Sequence, residues 1–408
     1  MEASRPSTPR SPRRRPLRLI YGAGPGDVLV TYSHWREGRD DPGQVSVTYS
    51  GQFYSLVREL GARACVISSS NRVQTVRENE FVIVNRPMPL ARRRAILYFT
   101  GQWIWALRFI VSALRFGADA AVIDMTMCSM RPLRILPRLG IPLILSGHVV
   151  LWPKLHRPQG LRWRFQKLLA STLTHAPAAI LSITSELDRQ IRELTGGRSA
   201  PIIRFVPTYR RGAIENVPPP PAEPFRVMFA GRLVRDKGVF DLVEIARILR
   251  ERGYGDIHID IAGDGPDLEP LQKAIRNAAL QDRVHVHGYC KKDRMRDLLS
   301  ATHVCIVPTR SGFVEGIAKT VIEGVMSGRP VVTSEVCGGA VDHVGDAVIL
   351  VPPDDPRGYA EAIIRLRTDR DLYETKRQAC GPIVEKFYDP SRGWAAAVKQ
   401  ALRMAKVI

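Results

Sequence analysis

The chain has 408 residues, 45% of them hydrophobic and 25% charged, which excludes a mainly disordered, collagen-like or disulfide-scaffold protein and suits two domains. Its 60 Lys and Arg exceed its 40 Asp and Glu, giving a formal charge of +20, and the excess is uneven. Residues 1–205 carry 30 basic and 13 acidic side chains, residues 206–408 carry 30 and 27, so the first half is expected to meet an anionic partner: a phosphorylated substrate, a bilayer face or nucleic acid. Of the 60 basic residues 49 are Arg, and an arginine-rich composition accounts for part of the excess. The six cysteines form no C-x-x-C pair, so neither a zinc site nor a disulfide framework is expected, only buried thiols.

Residues 1–17 are rich in Pro, Ser and Arg and read as a disordered basic arm, with no apolar segment behind them to make a secretory signal. Residues 27–32 (DVLVTY) read as a strand and 46–60 as a helix with Phe53, Leu56, Val57 and Leu60 on one face. Strands are predicted at 62–68, 81–84, 120–125, 141–148, 178–183 and 201–207, and helices at 96–116, 131–139, 160–175 and 186–195. The uncharged run Ala95 to Leu107 has 13 residues, short of the roughly 20 that a membrane span needs. In 96–116 the Trp and Leu side chains are expected to form core, with Arg on the solvated face. The Pro run at 218–221 reads as the centre of a stiff linker spanning 213–225. Strands then follow at 226–230, 257–262, 284–287, 303–307, 330–333 and 347–351, with helices between them and two more at 356–367 and about 370–405. The alternation predicts an α/β protein of two doubly wound, Rossmann-like domains, 18–212 and 226–385, with a ligand cleft between them and a terminal helix at 386–408.

Three loops carry candidate chemistry. Gly231-Arg232-Leu233-Val234-Arg235-Asp236-Lys237-Gly238 follows the first strand of the second domain, and its two fixed cations suit a diphosphate. Gly263-Asp264-Gly265-Pro266 also sits between a strand and a helix and reads as a turn shaping the cleft floor. Glu315 to Glu323 places two carboxylates eight residues apart, with a helix expected from Gly316 and its free N–H groups at 316–318 turned to the cleft. Val321 and Ile322 beside it predict that Glu323 is partly buried and needs a partner.

These strings, with Val284 to Tyr289 (V-x-x-H-G-Y) and Gly328-Arg329-Pro330-Val331-Val332 in the same order, resemble the retaining nucleotide-sugar glycosyltransferases of family four across residues 226–385. The resemblance implies a GT-B architecture, two facing Rossmann-like domains, the second holding the donor and the first the acceptor. A last helix around Trp394 would cross back to the first domain. Carried over residue by residue, Arg232 and Lys237 correspond to diphosphate ligands, with Gly231 beside them. Glu323 corresponds to the ribose ligand, and Glu315, with the backbone of Gly316, Ile317 and Ala318, to the donor-sugar ligands. Gly288 and Tyr289 fall where the base is held, and His148 resembles the histidine beside the donor sugar. Family members often carry a Gly-Gly pair in the loop after the first strand; here Asp40-Asp41-Pro42-Gly43-Gln44 offers Gly43 alone.

The implied activity is sugar transfer from a nucleoside-diphosphate sugar to a glycan or lipid-linked acceptor, as in envelope polysaccharide assembly, without metal or other cofactor. Alternatives within the architecture are a phosphorylase, a sugar-nucleotide epimerase or a non-catalytic nucleotide-sugar-binding protein. Arg92-Arg93-Arg94 and the basic residues around Trp152 and Trp163 (Lys154, Arg157, Arg162, Arg164, Lys167) add the expectation of a cytoplasmic protein peripheral to an anionic membrane. No helix-turn-helix, zinc-finger or RRM string is visible, so nucleic acid is not the expected partner. Asp369-x-Asp371 reads as a helix N-terminal charge pair rather than a metal motif.

Overall fold

The computed structural model describes residues 15–39, 41, 43–90, 95–212, 214 and 217–408. Residues 1–14 of the expected basic arm, Arg92-Arg93-Arg94, and Asp40 and Pro42 of the glycine loop lie outside the described residues, as do 213, 215 and 216 of the linker. Arg15 pairs with Asp119 at 2.8 Å, and Leu17 is buried in the first core.

The first eight strands are β1 (Arg18–Pro25), β2 (Arg63–Ser69), β3 (Gln74–Glu78), β4 (Phe81–Arg86), β5 (Ala120–Asp124), β6 (Leu143–Gly147), β7 (Pro177–Ser182) and β8 (Ile202–Arg204). They form one sheet in the order β3-β4-β2-β1-β5-β6-β7-β8, parallel except for the antiparallel edge strand β3. The helices of this half are α1 (Val28–Arg36), α2 (Tyr49–Glu59), α3 (Ala95–Phe116), α4 (Ile135–Arg138), α5 (Gly160–His175) and α6 (Ser185–Thr195). Side-chain alternation along β1 sends Leu19 and Tyr21 into the core under α1 and α2, and Ile20 into the opposite core under α3.

The sequence reading of 27–32 as a strand is corrected: this segment opens α1. The Asp27 carboxylate accepts from the Leu29 and Val30 amides at 3.0 and 3.3 Å, a helix N-cap, and the run at 18–25 supplies the strand. A short apolar run fits either period, and here the cap decides. Gly24 therefore lies at the end of the first strand and Gly26 in the loop after it, whereas Gly43 lies in the connection from α1 to α2.

The second sheet contains β9 (Phe225–Ala230), β10 (Ile257–Ala262), β11 (Val284–Gly288), β12 (Val304–Val307), β13 (Val331–Ser334) and β14 (Val348–Val351), all parallel, in the order β11-β10-β9-β12-β13-β14. Its helices are α7 (Val239–Glu251), α8 (Leu268–Asn277), α9 (Lys292–Ala301), α10 (Lys319–Met326), α11 (Gly338–Val344), α12 (Pro356–Thr368), α13 (Arg370–Ile383), α14 (Glu385–Tyr388) and α15 (Trp394–Met404). The single helix expected over 370–405 is three, because Pro390 cannot continue a helix and Asp389 caps a short turn before Gly393. Asp369 caps α13 by accepting from the Leu372 amide at 2.9 Å.

Helix α15 lies on the first sheet, against α2 and β7. Trp394 is fully buried, donates Nε1–H to Ser146 Oγ at 2.8 Å, and has its ring 5.2 Å from Tyr21 and 5.9 Å from Tyr49. No helix among the described residues is long and apolar enough to cross a membrane. Because so large a side chain leaves an unfilled cavity when truncated, Trp394→Ala should destabilise the protein by about 3–5 kcal/mol, read as a lower urea midpoint.

Candidate functional site

Glycines let the loops of the second sheet approach backbone to backbone. Gly263 has φ +152°, and a Cβ there would sit 1.8 Å from the Gly231 carbonyl oxygen; one on Gly265 would sit 2.3 Å from that of Leu233. The Leu233 amide donates to the Asp264 carbonyl at 2.9 Å. The G-D-G-P turn thus holds the Gly231-Arg232 loop in place. Gly238, at φ +75°, opens α7 against the Pro308 carbonyl, where a Cβ would stand 2.1 Å away.

A cavity of about 380 Å³ opens above these loops and reaches across to the first domain. Gly231, Arg232, Gly263, Tyr289 and Glu323 line it from the second domain and Gly43 faces it from the first. Met228, Ala262 and Ile306 give it apolar walls, and Ile214 and Val217 border it from the linker. Arg232 is exposed and its guanidinium has no hydrogen-bond or ion-pair partner among the described residues. Tyr289 is 66% exposed, and Gly288 takes the left-handed conformation at φ +67° that turns the chain there.

Lys237 and Glu315 form a close ion pair. Thr309 Oγ1, two residues beyond the cavity-lining Val307, lies 3.5 Å from Glu315 Oε2, and Lys237 Nζ sits 4.4 Å from the Phe313 ring centre. The expected helix start at Gly316 is corrected. Helix α10 begins at Lys319 with Ala318 as its N-cap, so Glu315, Gly316 and Ile317 belong to a loop and Glu315 shares no helix face with Glu323. Gly316 instead makes an antiparallel bridge with Val149 of the first domain, and a Cβ on it would meet the His148 carbonyl oxygen at 2.2 Å.

His148 is largely buried at the end of β6, with Nε2 2.9 Å from Ser146 Oγ and 3.8 Å from Asp124 Oδ2. Its ring lies 4.2 Å from that of Tyr49, and Nδ1 is buried without a partner. Burial pushes its pKa down; Asp124 opposes this and Lys319 adds to it, which favours a neutral imidazole. Lys319 donates to Ser46 Oγ across the cleft at 2.8 Å. Burial pulls its ammonium below the usual range against the opposing charge of Glu323, one turn along α10. Glu323 accepts a hydrogen bond from the Tyr209 hydroxyl at 3.3 Å; burial pushes its pKa up, and Lys319 and Tyr209 counter this.

The structure therefore gathers Arg232, Glu323, Gly43, Gly231 and Tyr289 about one cavity, while Gly288 does not line it and only turns the chain ahead of Tyr289; it also joins Lys237 to Glu315 and Gly316 to His148. Ile317 and Ala318 are buried in the turn that leads into α10. Sequence reading missed Lys319, Ser46, Tyr49, Tyr209 and Thr309. Lys319 carried a signal, a lysine four residues before a glutamate expected to be partly buried. Thr309 lies in the same connection as Glu315, whereas Ser46, Tyr49 and Tyr209 reach the site through contact between the domains. No group of three or more His, Cys, Asp or Glu side chains gathers as a metal site among the described residues.

Residues 211–383 match the family model described as glycosyl transferases group 1. The structure superimposes on sucrose-phosphate synthase from Thermosynechococcus elongatus with a TM-score of 0.68 and 17% identity, covering 96% of this chain and 98% of that one. It also superimposes on Anabaena HepE, solved in complex with UDP, with a TM-score of 0.63 and 14% identity over 96% and 99% of the two chains. The fold is GT-B. Among curated sequences, the α-D-kanosaminyltransferase of Streptomyces kanamyceticus is 31% identical over 166 residues, 40% of this chain. That match spans 42% of the relative's own length, less than half of it. The segment matched by the family model includes Arg232, Lys237, Glu315 and Glu323.

Burial acts on other histidines as it does on His148. It lowers His303 and His343 from the ordinary 6.5 to about 4, aided by Arg329 and Lys386 respectively. The unfolded chain takes up these protons near pH 6.5 while the folded chain resists them to about 4, so stability is expected to fall across that window. Urea midpoints measured through the window should drop with pH, and His343→Gln should flatten the drop.

Proposed function

We propose that this chain transfers a sugar, with retention of configuration, from a nucleoside-diphosphate sugar to a hydroxyl of a glycan or lipid-linked acceptor. The observation that carries the reading is the cavity between the domains, where an unpaired guanidinium at 232 and a half-buried carboxylate at 323 line one space. Several curated relatives are named as sugar transferases, among them a lipopolysaccharide core enzyme of Rhizobium meliloti and a kanosaminyltransferase, which supports transfer in glycan or glycoside assembly. The complexes of the HepE neighbour, with UDP and with UDP and glucose, support a nucleotide-sugar donor.

In this reading the diphosphate lies along the Gly231-Arg232 loop. Arg232 has no competing partner, and Lys237, held by Glu315, keeps further N–H donors for phosphate oxygens. These cations, rather than a metal ion, meet the charge that grows as the bond from the sugar C1 to the phosphate oxygen breaks. Glu323 takes the ribose diol, and Tyr289 and Gly288 border the base. Glu315 and the 316–318 backbone hold the sugar hydroxyls, and neutral His148 lies beside the sugar across the Gly316 contact. The acceptor oxygen bonds to C1 on the face the diphosphate leaves, and its proton passes to the departing phosphate. The protein's part is positioning and charge stabilisation.

Removing either cation tests the assignment. Arg232→Ala and Lys237→Ala should each lower turnover about 10²–10³-fold, and unchanged turnover in both would remove the diphosphate assignment. Glu323→Ala should weaken nucleoside-diphosphate binding in calorimetry, with a matching loss of ligand-induced thermal stabilisation; equal affinity would overturn the ribose role. Thermal shifts across a panel of nucleotide sugars identify the donor, since a ligand at 100 times its Kd adds about 2.7 kcal/mol.

A further inference from the structure

Helices α3, α4 and α5 cover one side of the first sheet and leave an apolar face of their own uncovered. Along α3, Phe99, Trp103, Leu107, Val111 and Leu114 follow at spacings of four, four, four and three, which sets them in one stripe. All five are exposed, Phe99 at 63% and Trp103 at 44%, while Trp105, Phe109 and Ala113 of the same helix are buried on the sheet. The sequence expectation that the Trp and Leu side chains of this helix are all core is thereby corrected. On α5, Leu161, Phe165 and Leu168 are likewise exposed, whereas Trp152 and Trp163 pack against each other beneath Arg157. Of the 21 exposed large hydrophobic side chains among the described residues, 12 lie on α3, α5 or the α4 segment up to Leu139.

The charge of this face is one-sided. From residue 81 to residue 185 the sequence has 14 Lys or Arg and only two acids, Asp119 and Asp124, neither on α3, α4 or α5. Asp119 is taken by Arg15 and the Arg18 amide, and Asp124 by Thr126. Between α3 and the outer strands runs a groove of about 550 Å³, lined by Arg77, Arg86, Arg108 and Arg115 over apolar side chains such as Ile67 and Val84. None of these four guanidiniums has a hydrogen-bond or ion-pair partner among the described residues.

We infer that this face docks on an anionic lipid bilayer, with the apolar stripe of α3 and the α5 residues in the acyl boundary and the groove arginines on lipid phosphates. Apolar side chains sunk among acyl chains and cations at headgroup depth are the two terms of interfacial binding, and this face supplies both. Nucleic acid would answer the arginines and leave the Phe, Trp and Leu stripe in water. A symmetric second copy would set one acid-free basic face against another. Helices α3 and α5 each leave the C-terminal ends of parallel strands, β4 and β6, so Phe99, Trp103, Leu161 and Phe165 lie toward the side of the sheet that carries His148. A docked chain would therefore turn its cleft toward a membrane-held acceptor. The surface is separate from the donor cavity, so this inference stands or falls apart from the transfer reading.

Flotation of the full chain with phosphatidylcholine vesicles, with and without phosphatidylglycerol, tests it. The expected result is binding to the anionic vesicles alone, weakened by salt. Two variants probe the two terms: Phe99→Glu with Trp103→Glu, and Arg108→Gln with Arg115→Gln. Each should weaken vesicle binding about tenfold or more while calorimetry still shows wild-type nucleoside-diphosphate binding. Brominated acyl chains should quench wild-type Trp fluorescence, and Trp103→Phe should remove most of that quenching, a readout that does not depend on the charged variants folding. Absence of anionic-vesicle binding, wild-type binding by the stripe variant, no quenching, or quenching that survives Trp103→Phe would each overturn the inference. So would an RNA or DNA oligonucleotide that binds the wild type and the stripe variant equally and displaces the vesicles.

Discussion

Where the two domains meet, a backbone carbonyl of one fills the space that a side chain would occupy on the other. The His148 carbonyl stands so close to Gly316 that a Cβ would lie 2.2 Å away, and the bridge from Gly316 to Val149 holds that approach. The position of Glu315, one residue earlier, follows from it, and so does the start of α10 at Lys319. The same device recurs within the second domain, where Gly263 and Gly265 accept the Gly231 and Leu233 carbonyls and thereby set the loop of Arg232. The loops that carry Glu315 and Arg232 are thus held by contacts between main chains, which have no rotamers to lose.

Around that seam the polar groups are largely shielded from water. Lys319, Glu323, His148 and Tyr209 all sit where burial favours their neutral forms; a neighbouring charge or hydrogen bond opposes this at Lys319, Glu323 and His148, whereas the Glu323 carboxylate reinforces it at Tyr209. Low dielectric cuts both ways: it raises the cost of an unpaired group and strengthens a bond once made. The unpaired Nδ1 of His148 and the Glu323 carboxylate, with one side-chain hydrogen bond among the described residues, are thus places where a further hydrogen bond is worth more than it would be on the surface.

Most of the second domain was legible in the sequence, because parallel strands buried on both faces read as apolar runs and the glycine loops fall between each run and the next helix. The first domain was less so. The run at 18–25 was overlooked because an arginine-rich segment leads into it, and the cap at Asp27 turned the next apolar run into α1. The edge strand β3 is short and alternates exposed with half-buried residues, so its period carries little signal. The start of α10 was misplaced because nothing local distinguishes Gly316 as a bridge from Gly316 as a first turn; Val149, far away in sequence, decides it. Likewise, the periodicity of α3 gives a helix but not which stripe faces the sheet when both stripes are apolar. Only the packed structure separates Trp105 from Trp103.

The last helix, α15, belongs by contact to the lobe that begins the chain. Trp394 closes over Tyr21, and Gln52 receives the Ala395 amide at 3.1 Å. The polypeptide therefore passes between the lobes twice, once through the proline-rich stretch and once through the segment before Gly393. Any recombination that exchanges one lobe for a homologue's must cut at both crossings, and a single junction at the linker would leave the transplanted half wearing a foreign clasp.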